Sequence, residues 1–213
     1  MYTEAIMRFV SIIGVIAFAI SGAMVAVSKK VDAFGVAVLA VITATGGGIM
    51  RDVLLGVCPP NSFTDRSYVF IAIITALIVF LAAHLFKDSY LRREQLLDSV
   101  NNVADALGLG VFAVSGTLAA IDYGFSDNGF LCVFVGMITG IGGGFLRDIM
   151  VQEIPFILKK RIYALAALAG SIIFYILYMN GSGYTVSAGI GAAATFFLRI
   201  FATHFRWNLP TAY

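Results

Sequence analysis

The segment Thr45-Gly46-Gly47-Gly48-Ile49-Met50-Arg51-Asp52 returns 96 positions later as Ile141-Gly142-Gly143-Gly144-Phe145-Leu146-Arg147-Asp148. The match extends outward in the same order. Phe18-Ala19-Ile20-Ser21-Gly22 recurs as Phe112-Ala113-Val114-Ser115-Gly116 at offset 94, Thr43 matches Thr139, Pro59 matches Pro155, and Tyr68 matches Tyr163. Two GGG-x-x-RD segments in corresponding surroundings identify an internal duplication.

The chain around the repeats is too apolar for water. Of 213 residues, 60% are hydrophobic and 12% charged, and the mean hydropathy is +0.94. A soluble domain carries about 25% charged residues. Apolar runs of spanning length lie at roughly 6–27, 33–57, 67–86, 96–121, 128–151, 162–180 and 184–203, with charge or turn residues between them. They lack strand alternation, so they are read as helices, which satisfy their backbone internally in lipid. The first run is longer than the apolar core of a signal peptide and has an internal counterpart, so it is read as a span.

Each copy of the repeat holds three spans. Three is odd, so the second copy enters the bilayer from the opposite side. The fold class predicted is an all-α polytopic membrane protein, a single transmembrane domain over 1–213. It has seven helices as two inverted three-helix repeats, about 4–86 and 96–180, plus a seventh helix at about 184–203. Loop charge supports the count. The N-terminal face receives Arg8 and Arg66, and the other receives Lys29, Lys30, Lys87, Arg92, Arg93, Lys159, Lys160, Arg161, Arg199 and Arg206. The positive-inside rule then puts the N-terminus outside and the C-terminus in the cytoplasm.

Three consecutive glycines in mid-helix are costly, about 1 kcal/mol each relative to alanine, so the second and fifth spans are expected to bend or break at Gly46, Gly47, Gly48 and at Gly142, Gly143, Gly144. Broken helices expose carbonyls and N–H groups that serve a permeant ion. Close packing of helices is the competing role of such glycines. Adjacent residues on a helix do not face each other, so Arg51 and Arg147 are each expected to find a carboxylate on another helix rather than Asp52 or Asp148. Asp98, Asn101, Asn102 and Asp105 form one polar stripe on the fourth span, which predicts an Arg147–Asp105 pair and, on the outer side, an approach of Arg51 to Glu4. Ionisable groups inside a membrane are functional candidates. The repeat-related hydroxyls Ser21, Ser115, Thr43 and Thr139, with Thr45, either offer oxygens to an ion or bond their own helix.

Other features are less directive. Net charge +2 with basic residues in short loop clusters excludes a nucleic-acid partner. Cys58 and Cys132 are too few for a disulfide scaffold or zinc site. No nucleophile motif, metal cluster or nucleotide loop is present, so neither an enzyme nor a cofactor is expected. Gly183, Ser187 and Gly191, with Gly189 and Ala193, make a small-residue face suited to packing or to a subunit interface. His84 and His204 sit near span ends, and Tyr175, Tyr178, Tyr184 and Trp207 suit an interfacial belt.

The paired GGG-x-x-RD segments, the Ser-Gly motifs of the first and fourth spans and the extra helix resemble the prokaryotic TRIC (trimeric intracellular cation) channels, whose bacterial relatives are also described as glycine-transporter-domain proteins. The resemblance covers nearly the whole chain. It implies a homotrimer in a bacterial or archaeal plasma membrane, a pore in each subunit flanked by glycine-kinked second and fifth helices, and passage of monovalent cations, chiefly potassium. It carries Arg51, Asp52, Arg147 and Asp148 as members of the motif. Animal members have Lys-Glu-Val in the second helix where this chain reads Arg51-Asp52-Val53. A potassium-permeable channel is the leading expectation. A small-solute, glycine-like transporter is the alternative, and a non-transporting scaffold ranks last.

Overall fold

The computed structural model describes the backbone of residues 2–86, 94–159, 162–205 and 207, and the side chains of 5–86, 95–158, 162–205 and 207. Among the described residues, seven helices are long and apolar enough to cross a membrane: α1 (Tyr2–Ser28), α2 (Ala33–Leu54), α3 (Ser67–Leu85), α4 (Glu94–Ala120), α5 (Gly129–Met150), α6 (Ile162–Met179) and α7 (Tyr184–His204). Short helical turns over Asn61–Thr64 and Phe156–Lys159 follow α2 and α5 at corresponding places. A π-helical turn, Ile121–Phe125, with Gly124 at φ 89°, ends α4.

The duplication is written into the capping chemistry. Asp32 caps α2 by accepting from Gly35 N, and Asn128, 96 residues on, caps α5 by accepting from Leu131 N. At the other ends Leu55 N donates to Arg51 O and Val151 N to Arg147 O, and then Val57 N donates to Asp52 O and Glu153 N to Asp148 O. The chain turns away through positive φ at Gly56 and at its counterpart Gln152. This closure ends α2 at Leu54, short of the 57 expected from hydropathy.

The two copies meet like with like. α1 packs on α4 and α2 on α5, while α3 lies on α1 and α2, and α6 on α4 and α5. The helix outside the repeat, α7, packs on α4 and α6. Phe18 and Phe112, a repeat-related pair, meet at the junction with ring centroids 5.3 Å apart. Outward faces are apolar: Phe70, Ile74, Ile78, Leu81 and Leu85 form an exposed stripe on α3, as a lipid-facing helix requires.

Contacts between loops test the inversion. At the N-terminal face Arg8 lies 3.9 Å from Asp65, Asn61 Nδ2 donates to Tyr123 Oη, and Tyr175 Oη donates to Ser126 O. At the opposite face Lys29 pairs with Glu153 at 2.6 Å. The loops after α1 and α5 therefore share a side, as two inverted three-span units demand. Lys87, Arg92, Arg93, Lys160, Arg161 and Arg206 lie outside the described residues, as does the side chain of Lys159. In a Cys58→Ser background, cysteines at Lys29 and Glu153 are expected to react with a membrane-impermeant thiol reagent from one side only, and cysteines at Asp127 and Asn180 only from the other. Mixed sidedness within either pair would contradict the inverted architecture.

Candidate functional site

The glycine triplets do not break their helices. α2 and α5 run through them uninterrupted, and none of the six glycines has a positive φ. What the glycines do is remove side chains where α2 and α5 cross. A Cβ on Gly47 would collide with the carbonyl oxygen of Thr139, and one on Gly143 with that of Thr43. A Cβ on Gly142 would lie 2.9 Å from both Gly47 Cα and Met50 Sδ, while one on Gly46 would meet Leu146, the repeat counterpart of Met50. Packing, rather than freed backbone ends, is the outcome, because the energy gained by close approach of two backbones outweighs the propensity cost that suggested a break.

Each Arg-Asp pair acts as one unit, against the expectation that neighbours on a helix would look elsewhere. Arg51 Nε lies 2.8 Å and Nη2 2.7 Å from Asp52 Oδ1. Arg147 Nε donates to Asp148 Oδ1 at 2.9 Å, and its Nη2 lies 2.8 Å from the same oxygen. The long guanidinium arm folds back around the end of the helix, where no further turn blocks it. The other oxygen of each carboxylate holds the chain that follows: Asp52 Oδ2 accepts from Asn61 N at 2.7 Å and Asp148 Oδ2 from Phe156 N at 2.8 Å. The motif thus fixes an arginine and the next turn together. The side chain of Glu4, expected near Arg51, lies outside the described residues.

Beyond this shared frame the two halves differ. In the C-terminal-face half, Arg147 is wholly buried. Its Nη1 donates to Asp105 Oδ1 at 2.8 Å, the pairing predicted from the polar stripe, and to Ser21 Oγ at 2.5 Å. Ser21 donates to Asn101 Oδ1, so α1, α4 and α5 are tied at one point. Ser21 and Asp105 are also without solvent access. Tyr163 closes the cluster from α6, its hydroxyl against Gly144.

In the N-terminal-face half, Ser11 stands where the repeat places Asp105's counterpart, and no carboxylate among the described residues of α1 reaches Arg51. Arg51 keeps 17% of its side-chain surface exposed. It lines a cleft of about 350 Å³ together with Ser11, Thr45, Gly48, Ser115 and Tyr68. Asn61, Ser62, Thr64 and Asp65, from the segment after α2, and Phe112 also line it. Asp65 stays ionised: hydrogen bonds from the Ser67 hydroxyl and backbone, with Arg8 nearby, hold its carboxyl below the usual range. Phe18, the mate of Phe112, is buried, with Gly108 and Gly143 leaving room for its ring. Phe112 thus lines the cleft while its mate is sealed in the interior.

The hydroxyls divide accordingly. Thr43 and Thr139 are buried and donate to Leu39 O and Val135 O of their own helices at 2.6 Å, and Thr45 donates to Val41 O. Ser115 and Thr45 line the cleft, and Ser21 belongs to the ionic cluster. Sequence reading overlooked the contact of Phe18 with Phe112, although their 94-residue offset was a usable signal. It also missed the roles of Tyr163, despite its repeat match to Tyr68, and of Arg199, which was counted as a loop charge but is buried in α7; both come to the cluster, from α6 and α7. Gly191 of the small-residue face packs internally, against Gly170, Phe174 and Val114.

Comparison with known proteins follows the same division. The family described as Glycine transporter matches twice, over residues 8–84 and 102–179, once on each repeat. A UPF0126 membrane protein of Deinococcus radiodurans is 40% identical over 91% of this chain and 86% of its own length. A prokaryotic TRIC channel superposes with a TM-score of 0.86 at 34% identity, covering 98% of this chain and all of that one. A second TRIC cation channel gives 0.81 at 37% identity, with 97% of each chain covered.

Proposed function

The chain belongs to the prokaryotic TRIC channel family and is a multi-pass membrane protein, and on that premise we infer that it conducts monovalent cations, potassium among them, through a path within each subunit. The path enters by the N-terminal-face cleft past Asp65, Ser11, Thr45 and Ser115. It then crosses the Phe18–Phe112 barrier and leaves by the side of Ser21 and Asp105. The observation that carries this reading is the asymmetry of the two halves: one open and hydroxyl-lined, the other shut by Arg147 on Asp105 and Ser21. The arrangement describes a closed conformation, entered from one side. Hydroxyl oxygens replace part of a cation's hydration, and Asp52 neutralises Arg51 so that the cleft does not repel it. Opening requires Arg147 to leave Asp105 and Phe18 to leave the axis. Gly46, Gly47, Gly142 and Gly143 act by holding α2 and α5 in contact beside the path, while Gly48 leaves the cleft open and Gly144 makes room for the Tyr163 hydroxyl. Thr43 and Thr139 anchor that crossing, and Asp148 holds Arg147.

We assign the N-terminus to the outside and the C-terminus to the cytoplasm of a bacterial or archaeal plasma membrane, and a homotrimer as the assembly. The loop charges and the likeness to TRIC channels support these assignments. Purified protein in planar bilayers should give discrete currents whose reversal potential follows the potassium gradient and not the chloride gradient. A cysteine at Ser115 should make them sensitive to a thiol reagent applied from the N-terminal side, and one at Ser21 should not do so while the channel is closed. Folded protein that passes no cation current under any potential would remove this reading.

A path open to one face and shut to the other also fits alternating access, and the family carries the description Glycine transporter. Saturable glycine uptake into proteoliposomes, with no unitary currents, is the result that would select that second reading.

A further inference from the structure

Arg199 lies on α7, outside the duplication, and is 1% exposed. Its Nη1 donates to Thr203 Oγ1 at 2.6 Å, while Nε and Nη2 have no hydrogen-bond partner among the described residues. No carboxylate among the described residues lies within ion-pair distance of it. A buried charge in that condition is expensive, so its neighbourhood has to compensate it. That neighbourhood is the ionic cluster. The Arg199 guanidinium carbon lies 6.0 Å from the Phe156 ring centroid, and that of Arg147 lies 5.3 Å from the same centroid. Arg199 also stacks on Tyr163 at 5.1 Å. Asp105 Oδ2 and the Tyr163 hydroxyl are further buried atoms there without a hydrogen-bond partner among the described residues.

Charge arithmetic makes the connection. Arg147 with Asp105 and Asp148 sums to one negative charge, and Arg199 brings the cluster to zero. Thr203 reaches toward Asn102 on α4 at 3.4 Å, which ties the arginine's anchor to the helix that bears Asp105. We propose that Arg199 is the countercharge of the Arg147–Asp105–Asp148 cluster and the residue that takes up Asp105, through its free Oδ2, when Arg147 releases it. The seventh helix then serves as a positioning element of the gate. The role in opening rests on the conducting path inferred above; the role as countercharge does not.

The test is a double-mutant cycle with Arg199→Gln and Asp105→Asn in the full-length protein. The singles leave a net charge of minus one and plus one in the interior, and the double restores zero. The double mutant is expected to melt above both singles, and Arg199→Lys to stay near wild type. In bilayers Arg199→Gln should lower open probability about fivefold or more, but have no such effect once Asp105 is Asn. A double mutant that melts below either single would overturn the countercharge. Equal effects of Arg199→Gln on open probability in both backgrounds would overturn the handover. If wild type carries no current, the conducting path itself fails, and the melting cycle still judges the countercharge.

Discussion

Gly47→Ala and Gly143→Ala are each expected to lower the melting temperature of the purified protein sharply, while Gly189→Ala leaves it unchanged or raises it. Alanine is a better helix former by about 1 kcal/mol, and in open space that gain stands alone. A methyl on Gly189 would have no neighbouring atom within 4 Å, and one on Gly48 only contacts of 3.8 Å and beyond. At Gly47 and Gly143 the added methyl meets the carbonyl oxygen of the facing helix. A backbone cannot step aside as a flexible side chain can, so α2 and α5 must separate. Overpacking costs about 1–3 kcal/mol and occasionally more, which exceeds the propensity gain. Both substitutions press on one crossing, so the double mutant should lose less than the sum of the singles. Melting curves in detergent, followed by size exclusion, would decide it. A Gly47→Ala protein as stable as Gly189→Ala would mean that the helices do not touch there.

Asp105→Asn carries the second large effect. Removing one partner of a buried pair costs about 3–5 kcal/mol. Asp148 still compensates part of Arg147's charge, which places the expected loss at the lower end, about 3 kcal/mol. Asp98→Asn, at an exposed position of the same helix, should change stability by less than about 0.5 kcal/mol. Function should move with the pair. If about half of that loss falls on the closed state alone, the open-to-closed ratio rises about tenfold. Asp105→Asn channels with wild-type stability and open probability would show that the ion pair holds neither the fold nor the closed state.

Much of the fold was legible in order along the chain. Hydropathy located the seven spans, the repeat located the inversion, and i to i+4 spacing on α4 located Asp105 opposite Arg147. Two readings failed, each for its own reason. Helix propensity is a local quantity and pointed to broken helices at the glycines, whereas the crossing partner that makes glycine favourable, the carbonyl of Thr139 or Thr43, sits on a helix about a hundred residues away. The rule that neighbours do not face each other holds for mid-helix side chains. It fails at Arg51 and Arg147, where the helix end leaves room for the guanidinium to fold back onto Asp52 and Asp148.

Composition and repetition are enough to establish the membrane as solvent, the number of spans and the pseudo-twofold relation between the copies, because each is a property of the chain read in order. They do not establish which half is shut. The repeat gives both halves an arginine, an aspartate, a serine and a phenylalanine, and a sequence comparison treats them as equals. Packing of the helices gathers Asn101, Asp105, Tyr163 and Arg199 from three of them around Arg147 and leaves Arg51 lining a cleft with Ser11. The physical reason is that burial of a charge depends on every group within a few ångströms, and those groups are gathered by packing rather than by position along the chain.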